Sequence, residues 1–191
     1  MSIFSVKIFR LPYVCILFGL FSLLLIELDR RSYESYIFNN SDGRIEIIES
    51  IRPSKEFTII CHGFAGSKEM MRQIAYDISN AGSNTVLFDF IGHGSNQHML
   101  VNRPAEITGT TQQLVDQLSE IIKFLYKKFG NEISISLVGH SMASDIVIRA
   151  SAEKNIKSVI AISPYSTGIT EDFPKDLLLI SGQFENHLRT H

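Results

Sequence analysis

The sequence predicts an α/β fold: a mostly parallel sheet flanked by helices, with an apolar helix at the N-terminus. Three observations carry this. Short apolar, often β-branched runs alternate with segments of helical periodicity. The run that starts at Ile133 stops at Gly139 and passes through Ser141 straight into a helical pattern from Met142. Residues 11–26 contain no charge at all.

Composition narrows the function classes. A chain of 191 residues holds one domain and an appendage, and 45% apolar residues suffice for a core. A net charge of −2 offers no electrostatic basis for binding nucleic acid, and no Cys/His spacing suits zinc. Cys15 sits in the apolar run and Cys61 ends a strand-like segment, so no disulfide between them is expected.

Taken in order, Lys7 and Arg10 precede the uncharged run Leu11–Ile26, and Glu27, Asp29, Arg30 and Arg31 follow it. With Ile8, Phe9 and Leu28 it nears the roughly 20 residues of a membrane span. The absence of a small-residue cleavage site favours an uncleaved single-pass anchor over a signal peptide, and the absence of a polar face disfavours a buried helix. The leading positive charges place the N-terminus in the cytoplasm and the globular part on the non-cytoplasmic side. The expected organisation is an anchor with its flanks over 1–31 and a globular domain over 32–191.

In that domain, Tyr33–Phe38 and Arg44–Ser50 read as strands joined by the turn-forming Asn39–Gly43. Phe57–Cys61 is a buried strand ending at His62-Gly63-Phe64. Ser67 caps a helix running to about Asn80, and Ala81-Gly82 stops it. Asn84–Phe90 is the next strand, followed by Ile91-Gly92-His93-Gly94-Ser95. From Thr110 to Phe129, the residues Leu114, Leu118, Ile121, Ile122 and Leu125 mark an amphipathic helix closed by Gly130. Lys157–Ser163 and Asp176–Ser181 complete the strands. Active groups of such sheets lie at the carboxyl ends of the strands.

Four motifs, Cys61-His62-Gly63-Phe64, Asp89-Phe90-Ile91-Gly92-His93-Gly94, Gly139-His140-Ser141-Met142-Ala143 and the strand ending at Gly182-x-x-Glu185, resemble the α/β-hydrolase superfamily. The resemblance covers Ser32 to the C-terminus and is nearest the serine aminopeptidase/lysophospholipase-like bacterial branch, some of whose members carry an N-terminal membrane helix. Ala143 replaces the usual last glycine of G-x-S-x-G. The resemblance implies a serine-type hydrolase acting on an ester or related acyl bond of a small-molecule or lipid-like substrate, with no metal or organic cofactor. Ser141 is then the nucleophile, the backbone N–H groups of Phe64 and Met142 form the oxyanion hole, and Glu185 is the acid.

The histidine base follows the acid after one more strand in this superfamily. Only residues 186–191 follow Glu185, with His187 and His191 among them. The chain therefore reads as C-terminally shortened, with the base unassigned and activity in doubt. The alternative is a non-catalytic remnant or binding module. By the same resemblance His62 supports the oxyanion loop, His93 and His140 belong to loop and corner motifs, and Asp145 is a first-turn charge on the helix dipole. Tyr165–Pro174 is too short for a sizeable lid.

Overall fold

The computed structural model describes residues 3–31, 35–40, 43–106, 108–152, 155–164 and 174–182. It forms two compact units, Met1–Glu34 and Ser35–His191. The first is helix α1 (Ile3–Arg31), continuous through Pro12. Its side chains are described over 12–28, where apolar residues surround the helix and nearly all are exposed. Among the described residues no helix is long and apolar enough to cross a membrane, so the transmembrane span expected from the sequence is not found there.

Among its described residues the second unit holds a seven-stranded sheet of order β1-β2-β4-β3-β5-β6-β7. β1 (Ser35–Asn40) and β2 (Gly43–Ile48) form a hairpin that joins β4 (Asn84–Phe88) antiparallel. β3 (Glu56–Cys61), β5 (Ser134–His140), β6 (Ile156–Ile162) and β7 (Leu177–Ile180) run parallel to β4. This is the mostly parallel, mixed sheet of an α/β fold.

Side chains alternate between the two faces of the sheet, and β3 and β4 are buried on both. Phe57, Ile59 and Cys61 of β3, Val86 and Phe88 of β4, and Ile135 and Leu137 of β5 share one core with α3 (Gln112–Phe129) and α4 (Met142–Ala150). On α3 the stripe Leu114, Leu118, Ile121, Ile122 and Leu125 is buried, each side chain contributing roughly 1.5–3 kcal/mol. The Thr111 hydroxyl accepts from Gln113 N–H at one end, and Gly130, at φ +89°, closes the other.

α2 (Arg72–Asn80) covers the opposite face, where the Thr85 hydroxyl donates to Ala75 O and Arg72 forms a two-pronged ion pair with Glu46 of β2. Among the described residues α2 is the α-helix on that face. Ser136 of β5 and Ser158 of β6 are half-buried and hydrogen-bond each other at 2.9 Å.

Two boundaries differ from the pattern in the sequence. Lys68–Met71 is a 3₁₀ turn preceding α2, and Ser67 makes no side-chain cap bond. Asp89, from a different loop, accepts from the Lys68 N–H instead, because a carboxylate is a stronger acceptor than a hydroxyl. β4 ends at Phe88 and not Phe90, since the N–H groups of Phe90 and Ile91 turn to His62 and Gln117.

Candidate active site

The corner between β5 and α4 is built by close approach. Gly139 pairs with Cys61 of β3 on one side and Ala161 of β6 on the other. A Cβ on Gly139 would lie 2.3 Å from Ala143 O and 2.8 Å from Val147 Cγ2, so only glycine lets α4 fold back onto the strand. Ser141 itself has φ 53° and ψ −117°, a conformation that ordinary side chains avoid and that stores strain. Its N–H donates to Ile162 O at 2.9 Å and its carbonyl accepts from Ser144 N–H at 2.9 Å. The Ser144 hydroxyl lies 3.1 Å from both Gly139 O and Ile162 O and joins the corner to the end of β6.

The loop after β3 lies against this corner. A Cβ on Gly63 would sit 3.2 Å from Ser141 Cβ and 3.2 Å from His140 O, so the Gly63 backbone is in contact with the serine residue. Phe64 follows, with its ring exposed, and Met142 opens α4 with a buried side chain. Among the described residues neither the Phe64 nor the Met142 N–H donates a hydrogen bond. Gly109 joins the two: a Cβ there would lie 3.7 Å from Met142 and 3.9 Å from the Phe64 ring.

His62 is fully occupied. Its Nε2 accepts from Phe90 N–H at 3.1 Å, which leaves the proton on Nδ1 to donate to Gly63 O at 2.8 Å. Burial lowers its pKa below the ordinary histidine value, outweighing the Gly63 bond and the neighbouring Asp89. It holds two loops together as a neutral ring. His93 is likewise buried, with Nδ1 3.0 Å from Ile91 O.

Asp89 binds the loops after β3 and β4 to each other. Oδ1 accepts from Lys68 N–H at 2.7 Å, and Oδ2 from Lys68 Nζ at 3.2 Å, Ser95 N–H at 3.0 Å and the Ser95 hydroxyl at 2.7 Å. Burial alone would raise the carboxyl pKa. The bonds from Lys68 N–H and from the Ser95 hydroxyl and N–H, with the Lys68 charge, override it and hold the pKa at about 2. A Cβ on Gly94 would fall 2.3 Å from Asp89 Oδ1, which explains the glycine at φ +53°. Gln117 of α3 completes the assembly, accepting from Ile91 N–H at 2.9 Å and donating to Asp89 O at 3.3 Å.

Lys68, Ser95 and Gln117 escaped the sequence reading as site residues. Gln117 alone left a signal, a polar residue on the buried stripe of α3. Asp145 lies in the first turn of α4, buried, paired through Oδ2 with Arg149 at 3.0 Å, and its Oδ1 has no hydrogen-bond partner among the described residues. Glu185, His187 and His191 lie outside the described residues, as does most of the segment 165–174. Among the described residues no group of His, Cys, Asp and Glu is placed to hold a metal ion. A cavity of about 640 Å³ lies at the opposite end of the sheet, lined by Phe38, Lys55, Phe57, Asn84, Phe129 and Ile133, away from Ser141.

Comparison with known proteins identifies the fold family. A family profile described as alpha/beta hydrolase fold matches residues 59–189. Comparison with curated proteins gave no match. Among solved structures, an esterase of Pyrococcus furiosus superposes with a TM-score of 0.57 at 23% identity, over 69% of this chain and 52% of that one. An α/β serine hydrolase without lid from Xanthomonas campestris gives 0.62 at 17% identity, over 78% and 71%. An α/β serine hydrolase homologue from Coxiella burnetii gives 0.63 at 19% identity, over 78% and 73%. At these identities the likeness is one of fold. The chain spans about half the length of the Pyrococcus esterase, and 46% of an α/β hydrolase from a Penicillium species.

Proposed function

The chain belongs to the α/β-hydrolase family, and on that premise we propose that it is a serine hydrolase cleaving an ester or related acyl bond of a small-molecule or lipid-like substrate. The observation that supports this most is Ser141 itself. What sets it apart from the other non-glycine residues at positive φ is its place: at φ 53° and ψ −117° it turns a parallel strand directly into a helix, with the Gly63 backbone against it, as a nucleophile corner requires.

In this reading Ser141 Oγ attacks the acyl carbon and the carbonyl oxygen takes up negative charge. The Phe64 and Met142 N–H groups donate to that oxygen, each contributing roughly 3–4 kcal/mol to the transition state. The alcohol leaves with a proton, and water then releases the acid from the acyl-enzyme. Glu185 is the acid, and its role is to orient a histidine base that takes the Ser141 hydroxyl proton and passes it to the leaving alcohol; no residue of this chain is assigned as that base. His62 is not that base, because both its ring nitrogens are engaged by backbone groups. The named esterase and serine-hydrolase neighbours support an ester as the substrate bond.

A fluorophosphonate probe tests this directly. The full chain should be labelled at Ser141, and Ser141→Ala should lose the label completely. Labelling at another serine would refute the assignment, and absence of labelling would favour the binding-module reading.

We also propose that α1 anchors the protein in a membrane with the globular unit on the non-cytoplasmic side. Its support is the uncharged run Leu11–Ile26, apolar on all sides of the helix where side chains are described, and Lys7 and Arg10, which precede that run within α1. The full chain should stay in the membrane pellet after alkaline carbonate washing. Release into the supernatant would contradict the anchor.

A further inference from the structure

The cavity of about 640 Å³ lies at the amino ends of the parallel strands. Phe57 and Asn84 line it near the starts of β3 and β4, Phe129 at the end of α3 and Ile133 just before β5. Ser141 follows the carboxyl end of β5, so that seven-residue strand, roughly 23 Å long, separates the two places. The serine chemistry has no use for this cavity, because the active groups of such sheets gather at the other end.

Its walls are fixed. Asn84, only 9% exposed, ties the turn between β2 and β3 to β4: Nδ2 donates to Ser54 O at 2.9 Å and to Glu56 O at 3.2 Å, and Oδ1 accepts from Ser50 N–H at 3.1 Å. The Ser54 hydroxyl accepts from Glu56 N–H at 3.1 Å, which closes the turn on itself. The aromatic side is equally braced. The Phe57 and Phe129 rings meet at 4.8 Å between centroids, and the Phe38 ring packs on Phe124 at 5.7 Å. Phe129 and Tyr36 remain 40% and 47% exposed in the lining. A preformed, largely aromatic concavity within the roughly 300–1,000 Å³ of small-molecule sites favours an apolar guest that displaces its water.

The charges select the other end of that guest. Arg52 lines the cavity, and among the described residues its guanidinium has neither an ion-pair nor a hydrogen-bond partner. Lys128 Nζ lies 4.3 Å from the centroid of the Phe38 ring and 5.9 Å from that of Phe129, so a second cation stands against the same aromatic walls. Lys55 is neutralised by Glu132. Glu49 is the one carboxylate in the lining, and the two remaining cations outweigh it. We propose that this cavity is a second binding site, which takes an amphipathic monocarboxylate: the apolar body lies against Phe38, Phe57 and Phe129, and the carboxylate pairs with Arg52. The site stands independently of Ser141 and of any reaction there.

Photoaffinity labelling tests it on the full chain in detergent. The aromatic carboxylate p-benzoylbenzoate should cross-link on illumination within residues 50–57 or 129–133, and naphthoate should protect those segments. Neutral naphthamide should protect at least about tenfold less well, since it offers Arg52 no charge. Arg52→Glu should weaken protection by naphthoate about tenfold or more, and Arg52→Lys, which keeps the charge, should restore most of it. Arg52 is exposed in a turn, so both variants should fold. Ser141→Ala should bind naphthoate as the wild type does. Cross-links confined to the Ser141 corner, or cavity cross-links that naphthoate does not suppress, would overturn the site. Equal protection by naphthoate and naphthamide would overturn the recognition of a carboxylate.

Discussion

Gly139→Ala should destabilise the globular unit by about 3 kcal/mol or more and lower its melting temperature by roughly 6–12 °C. The added methyl would meet Ala143 O at 2.3 Å and Ala143 C at 2.6 Å, and these are backbone atoms of α4 that no rotamer change can move aside. To make room, α4 must lift from β5. That motion strains the 2.9 Å bond from Ser141 N–H to Ile162 O and opens the core around Ile146 and Val147. Fluorophosphonate labelling of Ser141 should fall with it, because the hydroxyl is aimed by the same corner. A thermal melt indistinguishable from the wild type would show that helix and strand are not in tight contact.

Asp89→Asn should cost roughly 3 kcal/mol and change the shape of acid denaturation. The native carboxylate receives four donors, from Lys68 and Ser95. An amide presents one oxygen to them and turns its own N–H groups against the rest. Because the folded carboxyl titrates at about 2, below its ordinary value of 3.8, its contribution is fully present above pH 4 or so and is lost as pH falls toward 2. The interval corresponds to roughly 2 kcal/mol.

His62 adds an earlier step of the same sign. Its folded pKa is depressed by burial, so the neutral ring stabilises the fold above the ordinary value of 6.5, and stability declines as pH drops below it. Protonation places a proton on Nε2, facing the Phe90 N–H. Denaturant melts from pH 8 to pH 2 should therefore show two losses in the wild type. Asp89→Asn should retain the upper loss, set by His62, and lack the lower. An unchanged lower limb in that variant would mean that other carboxylates govern acid unfolding.

Much of the corner was legible from local pattern. An apolar strand, a glycine, a serine and the onset of helical period lie within a few residues of one another, and each constrains the next. The stripe on α3 was legible for the same reason, since burial with period 3.6 reports one covered face. The extent of β4 was not, because a backbone N–H leaves the ladder only when a better acceptor is nearby, and for Phe90 that acceptor is the ring of His62, 28 residues earlier. The capping of the turn at Lys68 departs from the local rule for the same reason. Ser67 satisfies the local rule, but Asp89 arrives from 21 residues away and takes the N–H.

By itself the sequence determined the α/β class, the amphipathic and buried segments, and the Gly139-His140-Ser141 corner, all of which depend on neighbours within one turn or one strand. Tertiary structure decided the strand order, the occupation of His62, the Lys68–Asp89–Ser95 clamp and the bridge through Gln117. The physical reason is that β3 and β4 lie side by side and parallel, so their following loops meet at one end of the sheet. Polar groups there pair with whatever the topology brings within 3 Å, and periodicity along the chain carries no record of that meeting.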